Sequence, residues 1–404
     1  MLMLVYAFNF IDRQILIILQ VPIKAELGLS DTQLGLMTGT TFAIFYVIMG
    51  LPIARLADTR NRRNIIATSL AFWSTMTVLS GFAQNYWHLL LARIGLGIGE
   101  AGGSPPSHSL LSDYFPPEQR STAFSLYSTG IYLGLMIAYL SGGMLADTYG
   151  WRMAFIIVGL PGIVFALILR YTVKEPKRGF YEVGEHPSVP LIDVIKHYKS
   201  CKTMVYLSLG GAIASFVGYS TSNFMPAYLS RVHHMSTSEI GIALAITVGL
   251  GGGSGMFFSG FVADRLGRKD IRWYLWMPAL AGAIGYPLGF YVFLSDNNNI
   301  IYVFFFAAFL SATYLGPSIA ICHSLSKPAM RALVSAILFF IINIIGLGLG
   351  PLTAGAISDF LSASQGAQSV RYAMTSVHSI GGLAAITLFY LAGKNLALDS
   401  KKEL

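Results

Sequence analysis

"GFVADRLGRKD" (residues 260–270) is a charged stretch that follows a long apolar run, and an approximate copy of it occurs much earlier in the chain. That copy, "ARLADTRNRR" (residues 54–63), also follows an apolar run. Asp58 and Asp264 occupy the same place in the two copies and lie 206 residues apart, about half of the 404-residue chain. A repeat at half the chain length predicts two structurally similar halves.

The composition is that of a protein embedded in a membrane. Hydrophobic residues make up 54% of the chain and charged residues only 11%, whereas roughly 25% of a typical soluble domain is charged. Apolar windows of about 20 residues recur along the whole length, and each is long enough to cross ~30 Å of hydrocarbon. The sequence therefore predicts an all-α polytopic membrane protein.

Twelve such spans can be placed, numbered here in chain order. Their predicted bounds are 2–22, 31–57, 64–84, 86–112, 119–146, 152–172, 203–229, 238–262, 272–294, 300–325, 331–358 and 370–393. The one long polar stretch, residues 173–202, divides the chain into an N-terminal six-helix bundle (1–172) and a C-terminal six-helix bundle with a short cytoplasmic tail (203–404). Within this linker, "PLIDVIKHYKSCK" has the apolar spacing of a short amphipathic helix on the membrane surface.

The basic residues predict the orientation of the spans. The loops on one side, together with the C-terminal tail, hold 21 of the 27 Lys and Arg residues. The loops on the opposite side hold Lys24, Arg152, Arg231 and Arg371. Because basic loops stay in the cytoplasm, we expect both termini to be cytoplasmic. The excess of positive charge then reflects orientation and anionic lipid, not nucleic acid.

The copy at 260–270 matches fully the pattern G-x-x-x-D-R-x-G-R-K, which the major facilitator superfamily carries between its second and third spans of each half. The copy at 54–63 departs from it, with Ala54 for the first Gly and Asn61 for the second. The chain thus resembles that superfamily over its whole length. The resemblance implies two pseudo-symmetric bundles of six helices that rock around a central cavity.

A narrower resemblance lies in the N-terminal half. It rests on the stretches "NFIDR" (9–13), "AFWS" (71–74), "HLLLARIGLGIGEA" (88–101), "LLSDYFPPEQRS" (110–121) and "VKEPKRG" (173–179). These are similar to stretches of the spinster-like transporters, a branch that exports lysolipids and sphingoid lipids and has bacterial members.

Two opposite charges, Asp12 and Arg13, lie near the middle of span 1, where an ionised side chain needs a wet cavity or a partner. Adjacent residues on a helix point about 100° apart, so the two do not simply neutralise each other. Arg93 and Glu100 share one face of span 4 at similar depth. We expect a cluster of four charges with zero net charge, with Asn9 widening its polar face.

The resemblance assigns roles within this cluster. It implies that Asp12 and Glu100 couple transport to protons and that Arg13 and Arg93 contact the substrate head group. The residues support the same hypothesis, because protonation of either acid would leave one guanidinium free to receive an anion. A static network of salt bridges between helices is the alternative.

The spans of the C-terminal half carry few charges, and their polar side chains are the further candidates for substrate binding. The candidates are Ser220, Thr221 and Asn223 on span 7, His323 on span 10 and Asn343 on span 11. Each could equally form a hydrogen bond between packed helices. A charged N-terminal half facing an apolar, aromatic C-terminal half suits a substrate with a polar head and a long tail.

The two copies of the loop pattern, with one further arginine, are the candidates for a cytoplasmic gate. The gate candidates are Asp58, Arg62, Arg120, Asp264 and Arg268. An aspartate at the end of a span can hold neighbouring helix ends while the inner side is closed. The alternative is that the arginines only set the topology.

Other functional classes receive little support from the sequence. The glycine-rich stretches 95–103 and 249–255 lie inside apolar runs without the context of a phosphate loop, so we interpret them as faces for close helix packing. Cys201 and Cys322 have no spacing that suggests a disulfide framework or a metal site. An enzyme would need a base with a paired acid, and the nearest candidate, His108, has none assigned.

We therefore predict a proton-coupled secondary active transporter of a lysophospholipid or sphingoid amphiphile, working by alternating access. The alternative is a proton-coupled carrier of small organic anions such as acidic sugars, with Arg13 and Arg93 as carboxylate clamps. No cofactor or metal is expected. The expected partners are the lipid substrate, protons and membrane lipids, with the protein a monomer in a bacterial inner (plasma) membrane.

Overall fold

The fold is all-α, in agreement with the sequence. The structure, a computed structural model, describes residues 1–181, 189–297 and 299–400. Within these ranges helices follow each of the twelve predicted spans, and no residue is in a β-strand. Part of the linker and the last four residues of the predicted tail lie outside the described residues.

The helices have the following bounds. In the first six spans they are Leu2–Leu27 (span 1), Asp31–Gly35, Leu36–Thr40 and Thr41–Thr59 (span 2), Arg62–Ser80 (span 3), Tyr86–Glu100 and Ser104–Tyr114 (span 4), and Pro117–Thr172 (spans 5 and 6). In the last six they are Lys202–His233 (span 7), Thr237–Leu244, Ala245–Gly252 and Gly253–Gly267 (span 8), Trp273–Leu294 (span 9), Ile300–Ser311 and Leu315–Ser324 (span 10), Arg331–Ile342, Asn343–Leu349 and Gly350–Gln365 (span 11), and Ser369–Ser400 (span 12). Short 3₁₀ turns occupy Pro328–Met330 and Gly366–Gln368.

Spans 5 and 6 are joined by a single residue. Gly150 has φ of 80° and ψ of 162°, outside the helical region, and the chain is helical on both sides of it. Such a positive φ favours glycine, which has no Cβ to clash with the backbone.

Several spans are interrupted at places that the sequence analysis did not predict. Span 4 breaks directly after Glu100, and its second helix begins at Ser104 with Pro105 and Pro106 in its first turn. Proline lacks an N–H and cannot continue the preceding helix, which explains the break. Spans 2, 8 and 11 each contain a π-helical segment, a wider turn that often marks a functional site in a helix.

The glycines of span 4 allow close helix packing, as predicted. A Cβ at Gly97 would lie 3.0 Å from the carbonyl oxygen of Phe42 on span 2. A Cβ at Gly99 would lie 2.8 Å from the Cβ of Trp73 on span 3. These contacts hold the segment that ends at Glu100 firmly against its two neighbours.

Eight helical stretches are long and apolar enough to cross a membrane, judged by length and composition. Two of them, Thr122–Thr172 and Arg331–Ser400, each cover two of the spans. Spans 3 and 4 are not among the eight. Span 4 contains Arg93, Glu100 and two prolines, which lower its hydropathy.

The chain divides into two compact units. Unit 1 comprises Met1–Gly184 and Met225–Gly249, and unit 2 comprises Glu185–Phe224 and Leu250–Leu404. Unit 1 therefore includes the end of span 7 and the beginning of span 8. The boundaries predicted from the sequence, 1–172, 173–202 and 203–404, stay a prediction.

A buried ion cluster explains why the end of span 7 belongs to unit 1. Asp31, only 2% exposed, accepts hydrogen bonds from Arg231 at 2.5 and 2.6 Å and pairs with Lys24. A second contact forms at the start of span 8, where the backbone N–H of Ser238 donates to Asp147 at 2.8 Å. The sequence analysis counted Arg231 only as a basic residue of an outer loop.

The predicted amphipathic helix of the linker is present at Leu191–Ser200 and is called the linker helix below. Val194 and Tyr198 are buried in unit 2. Leu191 and Ile192, on its first turn, are more than half exposed.

Candidate functional site: charged groups on spans 1, 3 and 4

The centre of the candidate site is an ion pair between spans 1 and 4. Arg13 Nε donates to Glu100 Oε2 at 3.0 Å, and Arg13 Nη2 pairs with the same oxygen. The Glu100 side chain is fully buried, and the Arg13 side chain is 11% exposed. The break after Glu100 places this carboxylate at the end of a helix, facing the middle of span 1.

Aromatic rings surround the guanidinium of Arg13. Its central carbon lies 4.5 Å from the ring centroid of Phe42 and 4.9 Å from that of Phe10, with Tyr46 at 5.7 Å. Asn9 Oδ1 accepts a hydrogen bond from Nη2 at 3.2 Å. The rings stabilise the cation by cation–π attraction and leave it in an apolar setting.

Asp12 has a different partner from the one the sequence analysis expected. It is 1% exposed and accepts a hydrogen bond from Ser74 Oγ at 2.7 Å, on span 3. Neither arginine forms an ion pair with Asp12 in the described part of the chain, and its Oδ1 makes no hydrogen bond there. The expectation that span 4 would supply its partner is wrong, because the 100° turn between residues 12 and 13 points Asp12 towards span 3.

Ser74 is thus a residue that the sequence analysis missed as a site component. It belongs to "AFWS", one of the stretches that carried the spinster-like resemblance. That membership was the available signal. A serine in an apolar helix is otherwise indistinguishable from one that bonds to its own backbone.

Arg93 is buried with few partners. It is 3% exposed, and its Nη1 lies 3.5 Å from the backbone carbonyl oxygen of Arg13. Its Nε and Nη2 make no hydrogen bond with any described residue. A buried guanidinium with unsatisfied N–H groups is costly, so this side chain is well suited to bind an anion.

The other predicted substrate contacts lie in the C-terminal half and form hydrogen bonds within their own helix or to a neighbouring helix. Ser220, Asn223 and Asn343 each donate to the carbonyl oxygen four residues earlier in their own helix, at 2.7 to 2.9 Å. Thr221 contacts His378 at 3.4 Å, and His323 contacts Ser335 at 2.6 Å. This pattern favours the helix-packing alternative for these hydrogen bonds.

The loop at 54–63 is tied to the start of the linker. Arg62 is 1% exposed, and its Nε donates to Glu175 at 2.8 Å. Its Nη1 donates to Ser109 Oγ at 2.8 Å and pairs with Asp113 near the end of span 4. Arg178 caps span 2 by donating to the carbonyl oxygen of Ala57 at 2.6 Å.

The other gate candidates make fewer contacts. Asp58 is exposed and forms no ion pair with the described residues. Arg120 donates to the carbonyl oxygens of Ser112 and Phe115, at 2.9 and 3.3 Å, and so caps the end of span 4. The role of Arg62 in a gate stays a prediction, and its acidic partners, Asp113 and Glu175, were not predicted from the sequence.

The loop at 260–270 is more open. Asp264 accepts a hydrogen bond from Tyr274 at 2.7 Å, and Arg268 is exposed. Just beyond, hydrogen bonds from Arg272 hold the pKa of Asp270 below its ordinary value.

His108 packs against the rings of Phe124 and Tyr127, with centroid distances of 5.4 and 5.3 Å. Within the described ranges, no three His, Cys, Asp or Glu residues group together as metal ligands.

The sequence model of the Major Facilitator Superfamily matches residues 2–351 and, in a second match, residues 207–403. A crystal structure of a bacterial homolog to the human lysosomal transporter Spinster, in an inward-facing and unoccupied conformation, superposes with a TM-score of 0.90. The two sequences are 31% identical, and the match covers 98% of this chain and 96% of the other.

Curated relatives have several kinds of name. An "MFS-type efflux pump" of Mycolicibacterium smegmatis is 32% identical over 100% of this chain and 93% of its own length. "Protein spinster homolog 1" of Homo sapiens is 26% identical over 93% of this chain and 77% of its own. A "Probable galactarate/D-glucarate transporter" of Bacillus subtilis is 27% identical over 70% of this chain and 68% of its own.

Proposed function

Because this chain belongs to the major facilitator superfamily, we propose that it is a proton-coupled transporter of an amphiphilic lipid, of lysophospholipid or sphingoid type, working by alternating access. The observation that carries the proposal is the buried Arg13–Glu100 pair, with Arg93 and Asp12 close to it. Two buried cations and two buried acids can take up one proton together with one anionic ligand without a change in net charge.

The proton step acts on Glu100. When Glu100 takes a proton, its attraction to the guanidinium of Arg13 falls, and Arg13 can turn to an anionic head group. Arg93, whose Nε and Nη2 make no hydrogen bond with any described residue, then binds the same head group, so that two guanidinium groups contact it. Release of the head group restores the Arg13–Glu100 pair and returns the proton.

Asp12 is the second proton-coupling acid. Ionised, it is a buried carboxylate that accepts a hydrogen bond from Ser74 and forms no ion pair with any described residue, which is a costly state. A proton on Oδ1 removes that charge. We propose that Asp12 and Glu100 share the coupling, as the family resemblance implies.

The amphiphilic substrate is supported by the surroundings of the arginines. Phe10, Phe42 and Tyr46 place apolar surface beside the guanidinium of Arg13. The two similarities to spinster proteins support the same branch. The polar side chains from Ser220 to Asn343 are proposed as secondary contacts only.

A second candidate is a carrier of acidic sugars. The relative named as a probable galactarate/D-glucarate transporter favours it. In that case Arg13 and Arg93 would each bind one carboxylate of a tail-free dianion.

Transport in reconstituted liposomes under an imposed pH gradient tests both candidates. Substrates are an anionic lysophospholipid and galactarate. Asp12→Asn and Glu100→Gln are expected to abolish pH-driven accumulation of the lysophospholipid, and Asp193→Asn, an exposed acid of the linker helix, serves as control. The proposal fails if both buried variants keep wild-type transport and its pH dependence, and galactarate uptake alone would favour the second candidate.

Orientation and gating complete the proposal. Both termini face the cytoplasm of a bacterial inner membrane, the protein works as a monomer, and Asp58, Arg62, Arg120, Asp264 and Arg268 act at the cytoplasmic side. Arg62 has the strongest support, because it joins span 3, span 4 and the linker.

A further inference from the structure

A crevice of about 210 Å³ opens within unit 2, where the linker helix meets spans 7 and 11. Its lining consists of Ile195, Tyr198, Lys199, Val205, Ser208, Leu209, Ile337 and Ile341. None of these residues belongs to the charged cluster of spans 1, 3 and 4 or to the secondary contacts proposed above. The crevice is therefore a site separate from the proposed transport chemistry.

The interior of the crevice suits a hydrocarbon chain. Its only two hydroxyls, those of Tyr198 and Ser208, are hydrogen-bonded to each other, and Ser208 Oγ also donates to the carbonyl oxygen of Met204 at 2.6 Å. Both hydroxyls are buried, while Leu209 is 39% exposed at the edge. An apolar ligand can thus enter without breaking a polar contact.

The mouth of the crevice is basic. Lys199 is part of the lining, and Lys202 follows it at the start of span 7; both are exposed and form no ion pair with any described residue. Lys196 lies one turn before and has only a 3.9 Å contact with Asp193, with both side chains at least half exposed. Asp193 is the one acid of the linker helix. Asp399, which accepts hydrogen bonds from the backbone N–H and the hydroxyl of Thr203, is buried, so the exposed charges near this mouth are mostly lysines.

The linker helix also has the form of an interfacial helix. Leu191 and Ile192 are 54% and 57% exposed beside these lysines. Exposed apolar side chains next to basic ones are typical of helices at the boundary between head groups and acyl chains. The basic side is the one predicted to face the cytoplasmic leaflet, which carries anionic lipid.

We propose that this crevice binds one acyl chain of an anionic phospholipid of the cytoplasmic leaflet, with the lipid phosphate on Lys199 and Lys202. The charge and the apolar lining are both needed: the lysines select an anionic head group, and the crevice holds the chain. Bound there, the lipid contacts the linker helix, span 7 and span 11 together. It therefore stabilises the packing of the linker helix against spans 7 and 11.

Native mass spectrometry of the purified protein tests this proposal by counting bound phosphatidylglycerol. Phosphatidylcholine with the same chains is the head-group control, and glycerol 3-phosphate is the control without chains. The double variant Lys199→Gln/Lys202→Gln is expected to bind phosphatidylglycerol about fivefold more weakly for each lysine lost. The matched control, Lys174→Gln/Lys177→Gln, removes two exposed lysines of unit 1 and is expected to bind it like the wild type.

A crevice-filling variant separates chain binding from charge. Leu209→Trp is expected to weaken phosphatidylglycerol binding, whereas Leu280→Trp, at an exposed apolar position on span 9, is expected to leave it unchanged. Three results would each overturn the proposal. They are equal binding of the two lipids by the wild type, wild-type binding by the lysine double variant, and glycerol 3-phosphate competing as well as the lipid.

Discussion

The two copies of the loop pattern differ in how firmly their charged side chains are held. The difference is the reverse of what their sequences suggest. The copy at 260–270 matches the superfamily pattern fully, yet its Arg268 is exposed, and among the described residues the side chain of Asp264 bonds a neighbouring tyrosine alone. The copy at 54–63 departs from the pattern at two positions, yet its Arg62 is 1% exposed and holds two carboxylates. Agreement with a pattern therefore does not measure how strongly a loop is held.

The difference comes from what each loop meets. The loop at 54–63 lies against the end of span 4 and the first residues of the linker, which supply Asp113 and Glu175. Near the loop at 260–270, the hydrogen bonds that the structure describes come from its own neighbourhood, Tyr274 and Arg272. The partner segment decides how firmly the loop is held.

The largest expected effect is the loss of Arg62. Arg62→Ala leaves Asp113 as a buried charge without its cation and should destabilise unit 1 by about 3–5 kcal/mol. The apparent melting temperature of the purified protein in detergent measures this. Arg268→Ala, at the corresponding position of the other copy, is the matched control and should leave the melting temperature unchanged. Equal losses for the two variants would show that both loops are held alike.

The next effect concerns the glycines of the matching copy. A Cβ at Gly267 would lie 2.2 Å from the ring of Tyr274, and moving that ring would break the bond from Tyr274 to Asp264. Gly267→Ala should therefore cost about 1–3 kcal/mol. No atom lies within 4 Å of a Cβ at Gly260, and the other copy has Ala54 there, so Gly260→Ala should be neutral or slightly stabilising. Thermal unfolding of the two variants side by side decides this, and the reverse order would contradict the role given to Tyr274.

Much of this molecule could be predicted from its sequence because the informative residues stand out locally. Twelve apolar runs, an amphipathic linker helix and charges inside apolar helices are all visible without a structure. The meeting of Arg13 with Glu100 followed from depth along two helices. Such inferences need only the rise and turn of an α-helix.

The rest depends on contacts that no local pattern encodes. Asp12 bonds Ser74 on span 3, and Asp31 bonds Arg231, 200 residues away. Two prolines indicate the break after Glu100, but they lie within a long run that otherwise predicts one continuous helix. Helix rotation and partner choice are set by packing of the whole unit, so sequence alone left these partners open.

The smallest effect tests whether the departure at Asn61 weakens the loop at 54–63. Asn61 begins span 3, and its side chain accepts a hydrogen bond from the backbone N–H of Asn64 at 2.9 Å. Its φ of −65° is available to any residue, so glycine is not required there. Asn61→Ala removes the cap and should cost about 1 kcal/mol, whereas Asn61→Gly, which restores the pattern, should cost only a few tenths. A gain in melting temperature for Asn61→Gly would mean that the pattern glycine is the better residue and that Arg62 holds this loop despite its sequence; a loss means that Asn61 is an adapted helix cap.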